Sequence, residues 1–223
     1  MNTRPLWFVP CSAAYRPLLL CHFLPSLVET GMAGKVDLAV IDLPPMIASG
    51  FRRFDGIIPQ LDCAANYGRP CIVSGADFRF YRDFLPELHN FHDMIHTSLD
   101  RIEVSPVLCS DFLAFIINWR TLQMFDLWET VNSTATDDQV ALNDMFGRFS
   151  DPATAPHLSN HGLPEAFWTI GLGGIPRTWE PGDTVPEPPA NIALHHGNFT
   201  VGVANKLALL DAVRERVEQR KSL

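Results

Sequence analysis

Short apolar runs alternate with segments of helical period from residue 6 to residue 80, and this alternation narrows the fold more than any other feature. "LWFVP" is an apolar run ending in proline, and "YRPLLLCHFLPSLVETG" follows with Tyr15, Leu18, Leu19, Phe23, Leu24 and Leu27 at roughly helical spacing. Gly31 is the natural stop of that helix, because a residue without Cβ tolerates the left-handed turn that ends one. "KVDLAVIDLPP" reads as a buried strand halted by two prolines, "RRFDGIIPQLDCAANYG" as helical in its second half, and "RPCIVSGADFRFY" as a strand again. Strands and helices in this order imply βαβ units and a mostly parallel sheet, with ligands at the carboxyl ends of the strands. The third strand, "PCIVSG", then delivers Ala76 and Asp77 to that edge.

Beyond residue 100, "VSPVLCSDFLAFI" reads as further extended chain. "NWRTLQMFDLWETV" reads as an amphipathic helix with Asn118 as N-cap and Leu122, Phe125 and Trp128 on one side, and Trp119 and Met124 are assigned to the core with them. "TDDQVALNDMF" reads as a short helix started by Asp137. Eight of the 18 prolines fall between Arg148 and Ala190. That stretch reads as an irregular Pro- and Gly-rich arm, residues 148–190, crossing the surface or covering a site. "NFTVGV" gives a last strand, and "ANKLALLDAVRERVEQRK" a closing helix with Leu207, Leu210, Val213 and Val217 inward. His89, His92 and His96 have helical spacing, but nothing around them completes a metal site, and the stretch reads as solvated and partly packed.

A chain of 223 residues with 47% hydrophobic and 19% charged residues suffices for one substantial core, so a single domain over residues 1–223 is expected. The net charge of −8, with basic residues clustered only in "RERVEQRK", argues against nucleic acid as a partner. Cys11, Cys21, Cys63, Cys71 and Cys109 form no CxxC pair, which suits a reducing compartment and a cytoplasmic location. Prolines and an arginine interrupt the N-terminal apolar runs well short of the roughly 20 residues a membrane span needs, so neither a span nor a signal peptide is expected. The two N-x-S/T sequons, at Asn132 and Asn198, are read as chance matches.

Three polar clusters stand at the ends of apolar runs: "SGADFRF" (74–80), "DDQVALN" (137–143) and "LHHGN" (194–198). A carboxylate and an imidazole offered from separate strand ends suit a divalent cation that keeps positions open for phosphate oxygens. Together with "FLPSL", "CSDFLAF" and "HHGNFTVGVANK", these clusters resemble, loosely over most of the chain, a small nucleotide-diphospho-sugar transferase of the glycosyltransferase type A fold. That resemblance implies a D-x-D motif after a buried strand, a "DQ-x-A-[LF]-N" helix and a late histidine. It implies an α/β, Rossmann-like architecture with a mixed, mostly parallel sheet flanked by helices, and transfer of a sugar from a UDP-sugar to a glycan or other hydroxyl acceptor.

Carried over residue by residue, the resemblance makes Asp77 and His196, in "H-x-N-[WF]-T-x-G", the ligands of Mn2+ or Mg2+. It makes Asp138 and Gln139 the pair beside donor sugar and acceptor, which orient the ring and support charge at the anomeric carbon. By the same analogy the exit of the first strand would hold the nucleoside, with Tyr15 available for stacking; Ala76 is expected at the binding edge, and Lys206 would add positive charge at the diphosphate if the closing helix begins near it. One position departs: Gly75 stands where the first aspartate belongs, and the motif reads G-A-D. One direct ligand is therefore missing, or is replaced by Asp111 or by water. The departure keeps open a degenerate, non-catalytic sugar-nucleotide or glycan-binding module. A nucleotidyltransferase shares the topology but usually needs a glycine-rich, basic phosphate loop, which "VPCSAAYRP" does not supply. A monomer or a homodimer is equally compatible with the chain.

Overall fold

The structure is a computed structural model and describes residues 4–43, 57, 61, 63–88, 94–101, 104–132, 138–149, 160–171 and 178–222. Nine strands are described: β1 (Leu6–Ser12), β2 (Asp37–Leu43), β3 (Pro70–Ser74), β4 (Phe78–Phe80), β5 (Met94–Arg101), β6 (Val104–Ile116), β7 (Asn160–Gly162), β8 (Phe167–Trp168) and β9 (Leu194–His196). The helices are α1 (Arg16–Leu18), α2 (Leu24–Glu29), α3 (Trp119–Asn132), α4 (Asp138–Phe149) and α5 (Val203–Lys221).

The main sheet has the order β2-β1-β3-β6-β5-β7. β1 runs parallel to β2 and β3, β6 runs antiparallel to β3 and β5, and β7 runs parallel to β5. β6 is thus the strand that opposes the common direction, and the mostly parallel α/β sheet expected from the alternation is present. A small second sheet, β4-β9-β8, joins residues far apart in sequence.

The strand period of two sorts the core onto the two faces of the main sheet. Trp7, Val9, Ile72, Phe112 and Ala114 enter one cluster, while Phe8, Cys71, Val73, Leu113 and Phe115 enter the other. Trp7 is the hub of the first, edge-on to Phe23, Phe80, Phe84 and Phe112 with ring centroids 5.3–6.4 Å apart. Its indole N–H donates to Ser74 Oγ at 2.9 Å, so the burial leaves no polar group unpaired. Each fully buried Phe here contributes roughly 1.5–3 kcal/mol relative to an exposed ring.

Several local expectations need correction. β1 does not end at Pro10 but runs on to Ser12 along β2, while its pairing with β3 stops at Phe8. β1 and β3 thus part company beyond Phe8. β2 is not a buried strand: its residues are half-buried or exposed, and among the described residues β1 is its one sheet neighbour. The predicted helix from residue 16 carries a π turn at Leu19–Phe23 just before Pro25. A proline there cannot donate to the carbonyl four residues back, and the wider turn accommodates it. Gly31 ends this helical stretch with φ +73°, as expected.

α3 is capped by Asn118, whose Oδ1 accepts from the N–H of Arg120 at 2.9 Å and Thr121 at 3.1 Å. Met124, Phe125 and Trp128 are buried, but Trp119 is 56% exposed. It occupies the first position of the helix, outside the inward stripe, with the Arg120 guanidinium over its ring. "NFTVGV" is not a strand: the strand is the preceding β9, Phe199 has φ +56°, and Val201 lies in solvent. The arm is not wholly irregular, since β7 and β8 fall within it and Phe167, Trp168, Ile170 and Trp179 are buried. In the second half of residues 52–68, where a helix is expected, the described residues show a 3-10 turn at Ala64–Asn66 in place of a continuous helix; Asp137, His89 and His92 lie outside the described residues, while His96 belongs to β5. Among the described residues no helix is long and apolar enough to cross a membrane, and all five cysteines are free thiols.

Candidate functional site

The site is assembled where β3 ends. Its antiparallel ladder with β6 pairs Ser74 with Phe112, and the bond from Gly75 N to Asp111 O at 2.9 Å carries the pairing one residue further. Asp77 follows two residues later, and β4 begins beside it. β4 pairs with β9 so that Phe78 stands opposite His196, and Gly197 N donates to Asp77 O at 2.7 Å. The fold thereby brings together three stretches that are remote in sequence: residues 75–78, 109–111 and 196–197.

The His196 ring lies flat on Phe78, centroids 4.3 Å apart and planes 8° from parallel. Its Nδ1 is 3.8 Å from Cys109 Sγ. Its Nε2 faces two carboxylates, 3.5 Å from Asp77 Oδ2 and 3.4 Å from Asp111 Oδ2. Lys206, in the first turn of α5, bonds Asp77 Oδ2 through its Nζ. The same ammonium lies 5.6 Å from the centroid of the Tyr15 ring. Asp77 and His196 are buried, whereas the side chain of Asp111 is 33% exposed and opens the cluster to solvent.

Charge explains the protonation pattern. Burial alone would raise the Asp77 carboxyl, but Lys206 and His196 outweigh it and hold it well below the usual carboxylate range. Burial would lower His196, but Asp77, then Cys109 and Asp111, raise it well above an ordinary imidazole. Lys206 is raised in the same way, the attraction of Asp77 exceeding the cost of burial. His195 is the opposite case: it packs against Trp168, both ring nitrogens lack hydrogen-bond partners among the described residues, and burial drives it down to about 3. Adjacent histidines on β9 thus point to different surroundings, and His196 is the one that meets acidic groups.

These residues fit a divalent cation. Among the described residues His196 Nε2 is buried without a hydrogen-bond partner, since its two carboxylate contacts have ion-pair distances but not hydrogen-bond geometry. Cys109, Asp111 and His196 offer ligand atoms within 4.8 Å of one another. One imidazole nitrogen serves one ion, and Nε2 is the nitrogen that faces the carboxylates. Nitrogen and carboxylate donors suit Mn2+ and, with more water, Mg2+.

The remaining sequence-predicted residues are placed as follows. Ala76 is buried in the Trp7 cluster, so only its backbone is available to a ligand. Tyr15 sits in the 3-10 turn that leaves β1, half-buried beside Lys206. Asp138 opens α4 and Gln139 follows it. α4 is fastened to β6 one residue before Cys109: Asn143 Nδ2 donates to Leu108 O at 3.0 Å, and Asn143 Oδ1 accepts from Leu108 N at 2.8 Å. Cys109, Phe78 and Asn143 were not singled out from the sequence. The i, i+2 spacing of Cys109 and Asp111 along an extended run was the available signal for the first.

No protein-family model matches this chain, and no curated protein matches its sequence. Its fold, however, is found among solved structures. One is a glycosyltransferase involved in the glycosylation of the major capsid of PBCV-1, at 8% identity and a TM-score of 0.59, covering 93% of this chain and 99% of that one. Another is the galactosyltransferase LgtC in complex with donor and acceptor sugar analogues, at 10% identity and a TM-score of 0.54, covering 96% and 95%. The chain has the glycosyltransferase type A fold over nearly its whole length.

Proposed function

We propose that this protein is a glycosyltransferase that moves a sugar from a UDP-sugar to a glycan or other hydroxyl acceptor, assisted by Mn2+ or Mg2+. The observation that carries this reading is the convergence of Asp77, Asp111, His196 and Lys206 at the carboxyl end of β3, on a sheet of this fold. Carboxyl strand ends are where α/β sheets place their ligands.

In this reading His196 Nε2 and the neighbouring carboxylates hold the cation, which supplies charge stabilisation to the leaving diphosphate. Cys109 and Phe78 fix the imidazole by an Nδ1 contact and a flat stack. Lys206, which neutralises Asp77 before substrate arrives, adds its ammonium to the same region from the start of α5. The first turn of that helix presents free N–H groups that favour an anion there. Tyr15 offers its ring to the nucleoside, and the backbone at Ala76 borders the nucleotide. Asp138 and Gln139, at the start of α4, accept and donate hydrogen bonds to sugar hydroxyls and orient the ring. No residue is assigned as a base.

A second reading, a sugar-nucleotide or glycan-binding module without turnover, draws on Gly75 in place of the motif's first aspartate and on Lys206, which already neutralises Asp77. Release of UDP from UDP-sugars separates the two. The enzyme reading expects release that requires Mn2+ and is abolished by Asp77→Ala and by His196→Ala, with both variants folded by circular dichroism. Unchanged release in both variants removes the metal site from the account, and no release with any donor favours the binding module.

A further inference from the structure

The departure at Gly75 has a counterpart across the sheet. Gly75 N bonds Asp111 O, which makes the two residues cross-strand neighbours. Side chains in that relation stand about 4.5–5.5 Å apart at Cβ and share one face. The space confirms it: a Cβ built on Gly75 would lie 2.6 Å from Asp77 Oδ1 and 3.4 Å from Asp111 Oδ1. Room for a side chain at position 75 is therefore taken by the Asp77 carboxylate, and the carboxylate of the opposite strand stands in contact beside it. That carboxylate ends 3.4 Å from the unpartnered Nε2 of His196.

We infer that Asp111 supplies, from β6, the second metal-binding carboxylate that position 75 does not provide, so that the cation is held by Asp77, Asp111 and His196. The inference rests on the metal-assisted reading above. Relocation across a ladder costs little, because cross-strand neighbours on one face can point at one centre as readily as residues i and i+2 of a single strand. Glycine at 75 has its own reason: the Asp77 carboxylate already stands 2.6 Å from where a Cβ would lie. The partial exposure of Asp111 leaves that carboxylate reachable by a cation from solvent.

The test is binding of Mn2+ alone, followed by the loss of its free-ion electron paramagnetic resonance signal on titration with protein. Wild type should bind one Mn2+. Asp111→Asn, which keeps shape and removes charge, should weaken binding about tenfold or more, on the scale at which even residues supporting metal ligands act. The double variant Gly75→Asp with Asp111→Ala returns a carboxylate to the other side of the ladder and should recover most of the affinity. Asp111→Asn binding Mn2+ like wild type overturns the inference while leaving the metal-assisted reading standing. A folded double variant that recovers nothing overturns the equivalence of the two positions. Wild type that binds no Mn2+ overturns both.

Discussion

At the scale of single residues, the chain mixes buried groups that gain from charge with buried groups that are denied it. His22 belongs to the second kind. It sits in the π turn, 2% exposed, with Nδ1 unpartnered and Nε2 3.8 Å from Asp211. Burial lowers it from the ordinary value of 6.5, outweighing the attraction of Asp211. The unfolded imidazole takes up a proton below pH 6.5 while the folded one resists, so the unfolded chain binds more protons there. Stability contributed at this site is highest above that pH and falls as pH drops, by at most about 1.4 kcal/mol per unit. His22→Gln removes the titration. Urea midpoints at pH 7 and pH 5 should show the wild type losing ground to the variant on acidification, and a gap that does not change with pH contradicts the assignment. The sequence revealed much at this scale: Asp77, His196 and Lys206 were all singled out from it, and the structure brings them into one cluster. It did not reveal that Asp111 faces Gly75, because a ladder register joins residues 36 apart through pairing that no local pattern encodes.

At the scale of elements, what was legible depended on whether the deciding interaction is local. The start of α3 was, since Asn118 caps it within three residues, and so was the end at Gly31. The edge position of β2 was not, because apolar composition says nothing of how many neighbours a strand has. Nor was the fate of "NFTVGV": its alternation suits a strand, but the chain turns at Phe199 and enters α5 directly after Gly202. α4 rests on the fastening of Asn143 to both backbone groups of Leu108. Asn143→Ala leaves those groups to be satisfied otherwise and should cost about 1–3 kcal/mol in urea unfolding. Because α4 begins at Asp138 and meets β6 beside Cys109, the same variant should also weaken turnover. Stability and turnover both equal to wild type would show that the fastening does not hold the helix.

At the scale of the whole molecule, the Trp7 cluster, the divergence of β1 from β3 after Phe8 and the second sheet act together. The aromatic core holds the strands, the divergence separates the ends of β1 and β3, and β9 carries His196 to the end of β3. The arm takes part as well: β8 pairs with β9 and buries Trp168 against His195. β7 and β8, three and two residues long, leave too little periodicity to be read, which is why a proline-rich stretch looked featureless. The central claim is that this fold presents a cation and a lysine to the diphosphate of a sugar nucleotide. Calorimetric titration of UDP into the protein, with and without Mn2+, tests it most directly. The account predicts binding that appears or tightens at least tenfold with Mn2+, and a Lys206→Ala variant that binds UDP more weakly in its presence. UDP binding that is indifferent to Mn2+ in wild type, or no binding at all, contradicts it.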